Sequence, residues 1–149
     1  KMEIRNMVKS DSDKIMDMMR VFYSSPAVLT DGSDEIFQRD IENCVSDCPY
    51  LEGYVFEEDG RIAGYSMIAK SFSTEFGKPC VWIEDLYIDN EFRGKGIGSE
   101  FLSYIEKKYC DSIIRLEVER ENRRAIAVYE KNGYRSLPYT EMKKIPKEQ

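Results

Sequence analysis

The chain has 149 residues, a length that fits one domain, with 28 acidic and 22 basic side chains and a formal net charge of -6. This acidic balance argues against nucleic acid as the main partner, because phosphate binding needs a concentrated basic surface. The complete absence of histidine excludes Ser-His-Asp and Cys-His catalysis, and leaves carboxylates, tyrosine, cysteine, lysine or water for proton transfer.

Apolar spacing and turn residues divide the chain into short elements. Met18 and Phe22 recur at helical spacing after a cap at Ser10 or Asp11, and the EDG sequence at 58–60 is a hairpin signal. The elements follow one another in the order βααβββαβαββ and predict one mixed α/β domain over residues 1–149. In chain order we predict a strand over 2–8, helices over about 11–23 and 34–44, strands over 53–58, 61–71 and 80–89, a helix over 97–108, a strand over 114–118, a helix over 122–132, and short strands over 134–137 and 141–145.

The stretch EFRGKGIGSEF places three glycines between a strand and a helix. The first N–H groups of a helix lack partners and carry partial positive charge, so Gly94, Gly96 and Gly98 would let an anion approach them closely. Arg93 and Lys95 add positive charge. The stretch therefore predicts a phosphate or pyrophosphate site, with an ordinary tight turn as the alternative. It is neither a P-loop, which needs Gly-Lys followed by Ser or Thr, nor a complete G-x-G-x-x-G dinucleotide fingerprint.

Two motifs follow one another in the second half of the chain. The first, [RQ]-x-x-G-x-[GA], is matched by Arg93, Gly96 and Gly98. The second, Asn-x-x-Ala-x-x-x-Tyr-x-x-x-Gly-[FY], is matched by Asn122, Ala125, Tyr129, Gly133 and Tyr134. By these motifs residues 82–134 resemble the GNAT superfamily of N-acetyltransferases, which transfer an acetyl group from acetyl-CoA to an amine. The resemblance implies a single GNAT-like domain of the α/β (α+β) class, with a mixed, mostly antiparallel sheet of six to seven strands and about four helices.

The resemblance also implies how acetyl-CoA would bind. The pyrophosphate would rest on backbone N–H groups of residues 93–99, and the pantetheine arm would run between the fourth and fifth strands. There it would pair with the main chain of Leu86 and Ile88 like an added strand, while Asn122 would hold it near the thioester. The cofactor-binding residues implied are Leu86, Tyr87, Ile88, Arg93, Gly94, Lys95, Gly96, Ile97, Gly98, Ser99, Asn122, Ala125 and Tyr129.

Acetyl transfer to an amine needs a proton acceptor, a proton donor and an oxyanion stabiliser. Tyr129 matches the family's tyrosine that faces the CoA sulfur, and we assign it as the general acid; the alternative is an ordinary core tyrosine. The main-chain N–H of Leu86 is the candidate oxyanion donor. A cysteine-acyl intermediate is disfavoured because no histidine can activate Cys80 or Cys110. Direct transfer is therefore expected.

Glu84 is the candidate general base, acting directly or through a water. It lies in the strand sequence WIEDLYI, where carboxylates are unusual because burial of an unpaired charge is costly. Alternation sends Glu84 and Asp85 to opposite faces, so we expect at most one of them to face the substrate. The family's small-amine members, spermidine/spermine acetyltransferases among them, carry a similar acidic pair. The alternative is a structural ion pair with a nearby lysine or arginine.

The acceptor is expected to be a small cationic amine, bound by Glu84, Asp85 and Tyr23. Further acids and aromatics in the segments that set specificity in the family support this expectation, with a solvated acidic surface as the alternative. They are Asp31, Asp34, Glu35, Glu75, Phe72, Phe76 and Tyr139. Two other functions stay open: acetylation of a protein or peptide N-terminus or lysine, and a non-catalytic acetyl-CoA-binding module.

The remaining expectations concern partners and compartment. No apolar run approaches the ~20 residues that span a bilayer, so we expect a cytoplasmic protein with no membrane partner. The four cysteines form no CxxC pair, and no metal cofactor is expected. A homodimer is plausible because dimers are common among the proteins that the chain resembles.

Overall fold

In the computed structural model, which describes residues 1–147, five strands form one sheet whose spatial order follows the chain. The first four strands pair antiparallel, while the fourth and fifth pair in parallel. Each antiparallel neighbour is reached through a turn or through the helices that precede β2. The strands are β1 (Met2–Asn6), β2 (Leu51–Glu58), β3 (Arg61–Ser73), β4 (Lys78–Ile88) and β5 (Ile113–Leu116).

Four α-helices cover the two faces of the sheet. They are α1 (Ser12–Tyr23), α2 (Asp34–Cys44), α3 (Ile97–Lys108) and α4 (Arg123–Lys131), with short 3-10 turns over Lys9–Asp11 and Asn90–Phe92. Among residues 1–147, none of these helices combines the length and the apolar character needed to cross a membrane.

Two hydrophobic cores lie on opposite faces of the sheet. The α1–α2 core includes Ile15, Met19, Phe37, Ile41, Tyr65 and Tyr87. The α3 core includes Tyr54, Phe56, Ile83, Ile97, Phe101 and Ile105. The side chains that recur at helical spacing in α1 and α3 are those that the cores bury, and this burial, more than helix propensity, stabilises both helices.

The pairing of β4 with β5 is short. It covers only Cys80–Ile83 of β4 against Ile113–Leu116 of β5. Beyond Ile83, β4 continues to Ile88 and stays paired with β3 on its other edge. The edge of β4 that faces away from β3 is therefore unpaired over its last five residues, and we call it the open edge.

A β-bulge lies in β4 where the open edge begins. Met67 pairs with Asp85 and Ile68 pairs with Ile83, so Glu84 has no partner on β3. The extra residue resets the alternation of side chains. As a result Ile83 and Leu86, three residues apart, both pack in the α3 core.

The predicted class and order of elements are confirmed, but the predicted number of strands is wrong. The sheet has five strands within residues 1–147, and the segments 134–137 and 141–145 are irregular. A strand needs a neighbour, and β5 offers an outer edge of only four residues. Leu137 and Met142 accordingly stay 57% and 93% exposed.

Candidate active site

The glycine stretch forms a turn that leads directly into α3. Gly94 and Gly96 have φ values of +79° and +78°, in the left-handed region that favours glycine, and Gly96 caps the helix. A Cβ added at Gly94, Gly96 or Gly98 would meet nothing within 4 Å. No side chain caps α3 at this end. The N-terminus of α3 is therefore an open surface of backbone N–H groups, suited to an anion.

The two basic residues of the stretch lie on its strand side. Arg93 Nε donates to the Ile88 carbonyl at 2.9 Å, and its guanidinium lies 5.7 Å from the centre of the Tyr87 ring. Lys95 Nζ lies 5.3 Å from the centre of the Phe92 ring. Both cations are thus held beside the glycine turn by contacts with the end of β4 and the 3-10 turn after it.

The backbone of the open edge of β4 faces away from β3. The Asp89 N–H donates to the Ala63 carbonyl of β3 at 2.7 Å. Since backbone groups of successive strand residues point to opposite edges, those of Ile88 and Leu86 point to the open edge, and the Ile88 carbonyl does accept there from Arg93. The open edge can therefore accept an extended ligand as an added strand.

A cavity of about 90 Å³ opens where β4 and β5 separate. It brings together five residues that the sequence predicted, from two distant parts of the chain: Glu84, Leu86, Asn122, Ala125 and Tyr129. We call it the β4–α4 cavity. Its other walls come from α1, the loop after α1, β4, the end of β5 and the residues after it: Phe22, Ala27, Ile83, Leu116, Glu117 and Val118.

Local structure at α4 explains why three of these residues face one space. Asn122 is the N-cap, and its Oδ1 accepts from the Ala125 N–H at 3.3 Å. Asn122, Ala125 and Tyr129 then recur at spacings of three and four, which places them on one helix face. Burial raises the pKa of Tyr129, whose ring packs at 6.0 Å from that of Tyr134.

A second cavity of about 120 Å³ lies between α2 and β4. Its walls are Tyr23, Asp40, Leu51, Met67, Glu84 and Asp85, and we call it the α2–β4 cavity. Glu84 lines both cavities, so it lies between the two spaces. Glu84 and Asp85 also line the same cavity, which corrects the strict alternation expected from the sequence. The bulge is the physical reason.

The carboxylates around the α2–β4 cavity are hard to ionise. Burial, and then the charges of Asp85 and Glu84, raise the pKa of Asp40 to about 6. Burial and the neighbouring Asp85 raise the pKa of Glu84. Burial also raises the pKa of Asp85, against hydrogen bonds from Tyr65 and Tyr23 that lower it. Within residues 1–147 no lysine or arginine forms an ion pair with Glu84, which argues against the structural ion-pair alternative.

Other predicted residues lie elsewhere. The Asp34 carboxylate pairs with Arg20 at 3.0 Å, and that of Glu75 accepts from the Tyr139 hydroxyl at 2.9 Å. These groups are exposed and line neither of the two cavities. Ser99 is engaged with α4, where its Oγ accepts from Asn132 Nδ2 at 3.2 Å.

Sequence reasoning missed Asp40. The signal was present, because Phe37, Asp40 and Cys44 follow the i, i+3, i+7 spacing of the buried face of α2. The bulge at Glu84 and the walls contributed by Phe22 and Ala27 carry no comparable local signal.

Comparison with known proteins identifies the family. The model of the acetyltransferase (GNAT) family matches residues 13–134. An uncharacterized N-acetyltransferase of Bacillus subtilis (strain 168), YhfO, is 29% identical over 140 residues, which cover 89% of each chain. The thialysine N-epsilon-acetyltransferase of Bos taurus is 34% identical over 83 residues, which are 54% of this chain and only 48% of that enzyme.

Solved structures agree on the fold. A possible acetyltransferase from Clostridium difficile 630 superposes with a TM-score of 0.83 at 21% identity, over 99% of both chains. The aminoglycoside N-acetyltransferase AAC(6')-Iy, solved in complex with CoA, superposes with a TM-score of 0.78 at 16% identity, over 97% of this chain and 95% of that one. The resemblance read from the two motifs is confirmed, and the chain belongs to the GNAT family of N-acetyltransferases, acyltransferases that use acetyl-CoA.

Proposed function

We propose that this enzyme transfers the acetyl group of acetyl-CoA directly to a primary amine of a small cationic molecule, within a ternary complex. The observation that carries the proposal is the β4–α4 cavity, in which Glu84 and Tyr129 line one space beside the open edge of β4. A candidate base, a candidate acid and an unpaired strand edge meet there, and amine acetylation needs all three.

Acetyl-CoA would bind mainly through backbone groups. Its diphosphate would accept hydrogen bonds from the N–H groups at the start of α3, with Arg93 and Lys95 supplying charge. Its pantetheine arm would pair with Leu86 and Ile88 at the open edge. Arg93 can share the Ile88 carbonyl with the arm, because a carbonyl oxygen has two lone pairs.

Glu84 is the proposed general base. An alkylamine with a pKa near 10.4 is about 99.9% protonated at pH 7, so its ammonium group must lose a proton before it attacks. Glu84 would accept this proton directly or through a water. The raised pKa of Glu84 supports the role, because a base is most effective when its pKa lies close to the working pH.

Tyr129 is the proposed general acid. The CoA thiolate must gain a proton or be stabilised as it leaves, and Tyr129 lines the same cavity as Glu84 and Asn122. The tetrahedral oxyanion would accept from the Leu86 N–H, which points to the open edge just after the bulge.

The charge of the α2–β4 cavity supports a cationic acceptor. Asp40, Glu84 and Asp85 contribute three carboxylates to its walls, and Tyr23 adds an aromatic ring. Uncompensated negative charge in a confined space is costly, and a bound ammonium group would offset that cost. The names of two relatives point the same way, since one acts on thialysine and the other on aminoglycosides.

A screen of acceptor amines tests the proposal. Purified protein would be incubated with acetyl-CoA and a panel of monoamines, diamines, amino acids, and peptides with a free N-terminus or lysine. Release of the CoA thiol would be followed. We expect kcat/KM for at least one small diamine to exceed that of every peptide by about tenfold or more.

Two results would contradict the proposal, each in a different way. Turnover of peptides alone would assign the enzyme to protein or peptide acetylation. Thermal stabilisation by acetyl-CoA without turnover of any amine would instead support a non-catalytic acetyl-CoA-binding module.

A further inference from the structure

Asp85 is the buried neighbour of Glu84, and both of its carboxylate oxygens are engaged. The Tyr23 hydroxyl donates to one oxygen at 2.9 Å, and the Tyr65 hydroxyl donates to the other at 2.7 Å. The Asp85 carbonyl accepts from Ser66 Oγ at 2.7 Å. We call this set of contacts the Asp85 anchor. It fixes the residue that directly follows the bulge.

The anchor joins three elements of the fold. Tyr23 is the last residue of α1 and precedes the loop that brings Ala27 to the β4–α4 cavity. Tyr65 and Ser66 belong to β3 and are fully buried. Asp85 itself is 4% exposed, whereas Glu84 is exposed between the two cavities. The strand therefore holds one carboxylate rigidly inside and presents the next one to the site.

Burying a carboxylate costs more free energy than burying a neutral polar group. Within residues 1–147 the Asp85 carboxylate has no lysine or arginine partner, and only the two tyrosine hydroxyls compensate its burial. An asparagine or a serine would link the same elements at a lower desolvation cost. The retained negative charge, one residue from the candidate base, therefore calls for a role in the reaction.

We propose that Asp85 is a positioning residue for acetyl transfer, whose anchored carboxylate holds the bulge that presents Glu84 to the amine and keeps negative charge beside it. The inference rests on the proposed role of Glu84 as base. In the step concerned, the N–H bond of the ammonium group breaks, an O–H bond forms on Glu84, and the proton then passes to solvent. Asp85 exchanges no atom with the substrate; it acts through Glu84.

The titratable groups that line the two cavities with Glu84, or that shift its pKa, are all acidic or phenolic. They are Asp85 of β4, Asp40 of α2, Tyr23 of α1, Tyr129 of α4, Glu117 after β5, and Glu141 of the C-terminal segment. Among the charges that raise the pKa of Glu84, Asp85 ranks first, behind only burial itself. Asp40 and Glu117 are weaker sources of charge near neutral pH, because their own pKa values are raised to about 6 and about 7.

The test is the pH dependence of kcat/KM, measured with the best amine of the screen. At low pH, kcat/KM should fall as the base becomes protonated, and we call this fall the acidic limb. The limb that is lost in Glu84→Gln belongs to the base. We expect Asp85→Asn to keep this limb but to move it about one pH unit lower, with kcat at neutral pH about tenfold lower. Affinity for acetyl-CoA should stay within about twofold of the unmodified enzyme, since the glycine turn is untouched.

Asp11→Asn is the matched control. Asp11 is a buried carboxylate, 6% exposed, whose oxygens accept from Arg5 at 2.9 Å, far from both cavities. Its loss should destabilise the fold and leave the acidic limb in place. A shift shared by both variants would mean that destabilisation alone moves the limb, and would overturn the inference.

Tyr23→Phe provides a second route if Asp85→Asn does not fold. Without that hydroxyl, Asp85 loses a hydrogen bond that lowers its pKa, so its carboxylate takes up a proton more readily. The acidic limb should therefore move to lower pH, by a smaller amount than in Asp85→Asn. The inference is overturned if the limb stays in place in the folded variant while Glu84→Gln abolishes it. If Glu84→Gln leaves the limb intact, the assignment of the base itself fails, and the inference falls with it.

Discussion

The glycine turn and the Asp85 anchor are two differently built parts of the candidate active site. The glycine turn has a glycine in the left-handed region on each side of Lys95, and open space around every glycine. The anchor is made of side chains from α1, β3 and β4, and it is almost entirely buried. The turn exposes backbone N–H groups, whereas the anchor is a set of buried polar contacts.

In the function that we propose, this difference separates the two substrates of the reaction. A surface of backbone N–H groups recognises a diphosphate regardless of most side chains, so a short motif is enough to specify it. The acceptor side depends on which side chains three separate elements bring to one point. We therefore expect substitutions in the turn to act on the cofactor, and substitutions around the anchor to act on chemistry or on the acceptor.

The largest effect is expected from Gly96→Ala. Alanine at a φ of +78° is strained by about 1 kcal/mol, and its methyl group would occupy the space over the helix N-terminus. We expect affinity for acetyl-CoA, measured by calorimetry, to fall about 100-fold, or about 2.7 kcal/mol. Unchanged affinity would contradict the diphosphate site.

Gly60→Ala is the control for strain. Gly60 has a φ of +76° and equally open surroundings, but it lies in the turn between β2 and β3. Both variants should lose a similar free energy of unfolding, while only Gly96→Ala weakens acetyl-CoA binding. Equal losses of affinity in the two variants would trace the effect to stability.

A smaller effect, confined to the chemical step, is expected from Tyr129→Phe. Removing the hydroxyl that we assign as acid should lower kcat by roughly 10- to 100-fold and leave acetyl-CoA affinity nearly intact. Tyr134→Phe, at the ring that packs against Tyr129, is the control and should keep kcat within about twofold. Full kcat in Tyr129→Phe at every pH would reject the assignment.

The smallest effect is expected from Asp40→Asn, on stability. The pKa of Asp40 is raised to about 6, above its ordinary value of 3.8, so the folded chain binds this proton more tightly than the unfolded chain. The resulting cost to stability is absent below pH 3.8 and grows as the pH rises through 6. Asp40→Asn should therefore raise the free energy of unfolding at pH 8 by about 1 kcal/mol, discounted for partial exposure, and by almost nothing at pH 4.

Urea titration at the two pH values measures this difference. Asp47→Asn, at an exposed carboxylate outside both cavities, is the control and should show no pH-dependent gain. A gain for Asp40→Asn that is equal at pH 8 and pH 4 would show that the carboxylate charge is not its cause.

Much of the fold, and five residues that line the β4–α4 cavity, could be predicted from the sequence. The glycine stretch and the spacing of Asn122, Ala125 and Tyr129 are local patterns, and α4 keeps the three residues on one face. The separation of β4 from β5 beyond Ile83 is not local, because it depends on where β5 ends. The sequence therefore indicated five residues of the β4–α4 cavity without its shape.

The acceptor side was predicted only in part. Glu84, Asp85 and Tyr23 were singled out, but the bulge that reorders the first two depends on the register between β3 and β4. Asp40 was missed, although its position in α2 falls at the spacing of the buried residues Phe37 and Cys44. The two C-terminal strands were predicted wrongly, because a segment forms a stable strand only when a partner edge is also available.

The unpaired half of β4 has a consequence for isotope exchange. Amide protons of Leu86 and Ile88 point to the open edge, whereas alternate amides of the same strand, such as that of Tyr87, point to β3. Neighbouring residues of one strand should therefore exchange with deuterated water at very different rates in the free enzyme. If a bound ligand slows the exchange of the Leu86 and Ile88 amides but not that of Tyr87, the ligand occupies the open edge. This measurement resolves single residues and needs no label on the ligand.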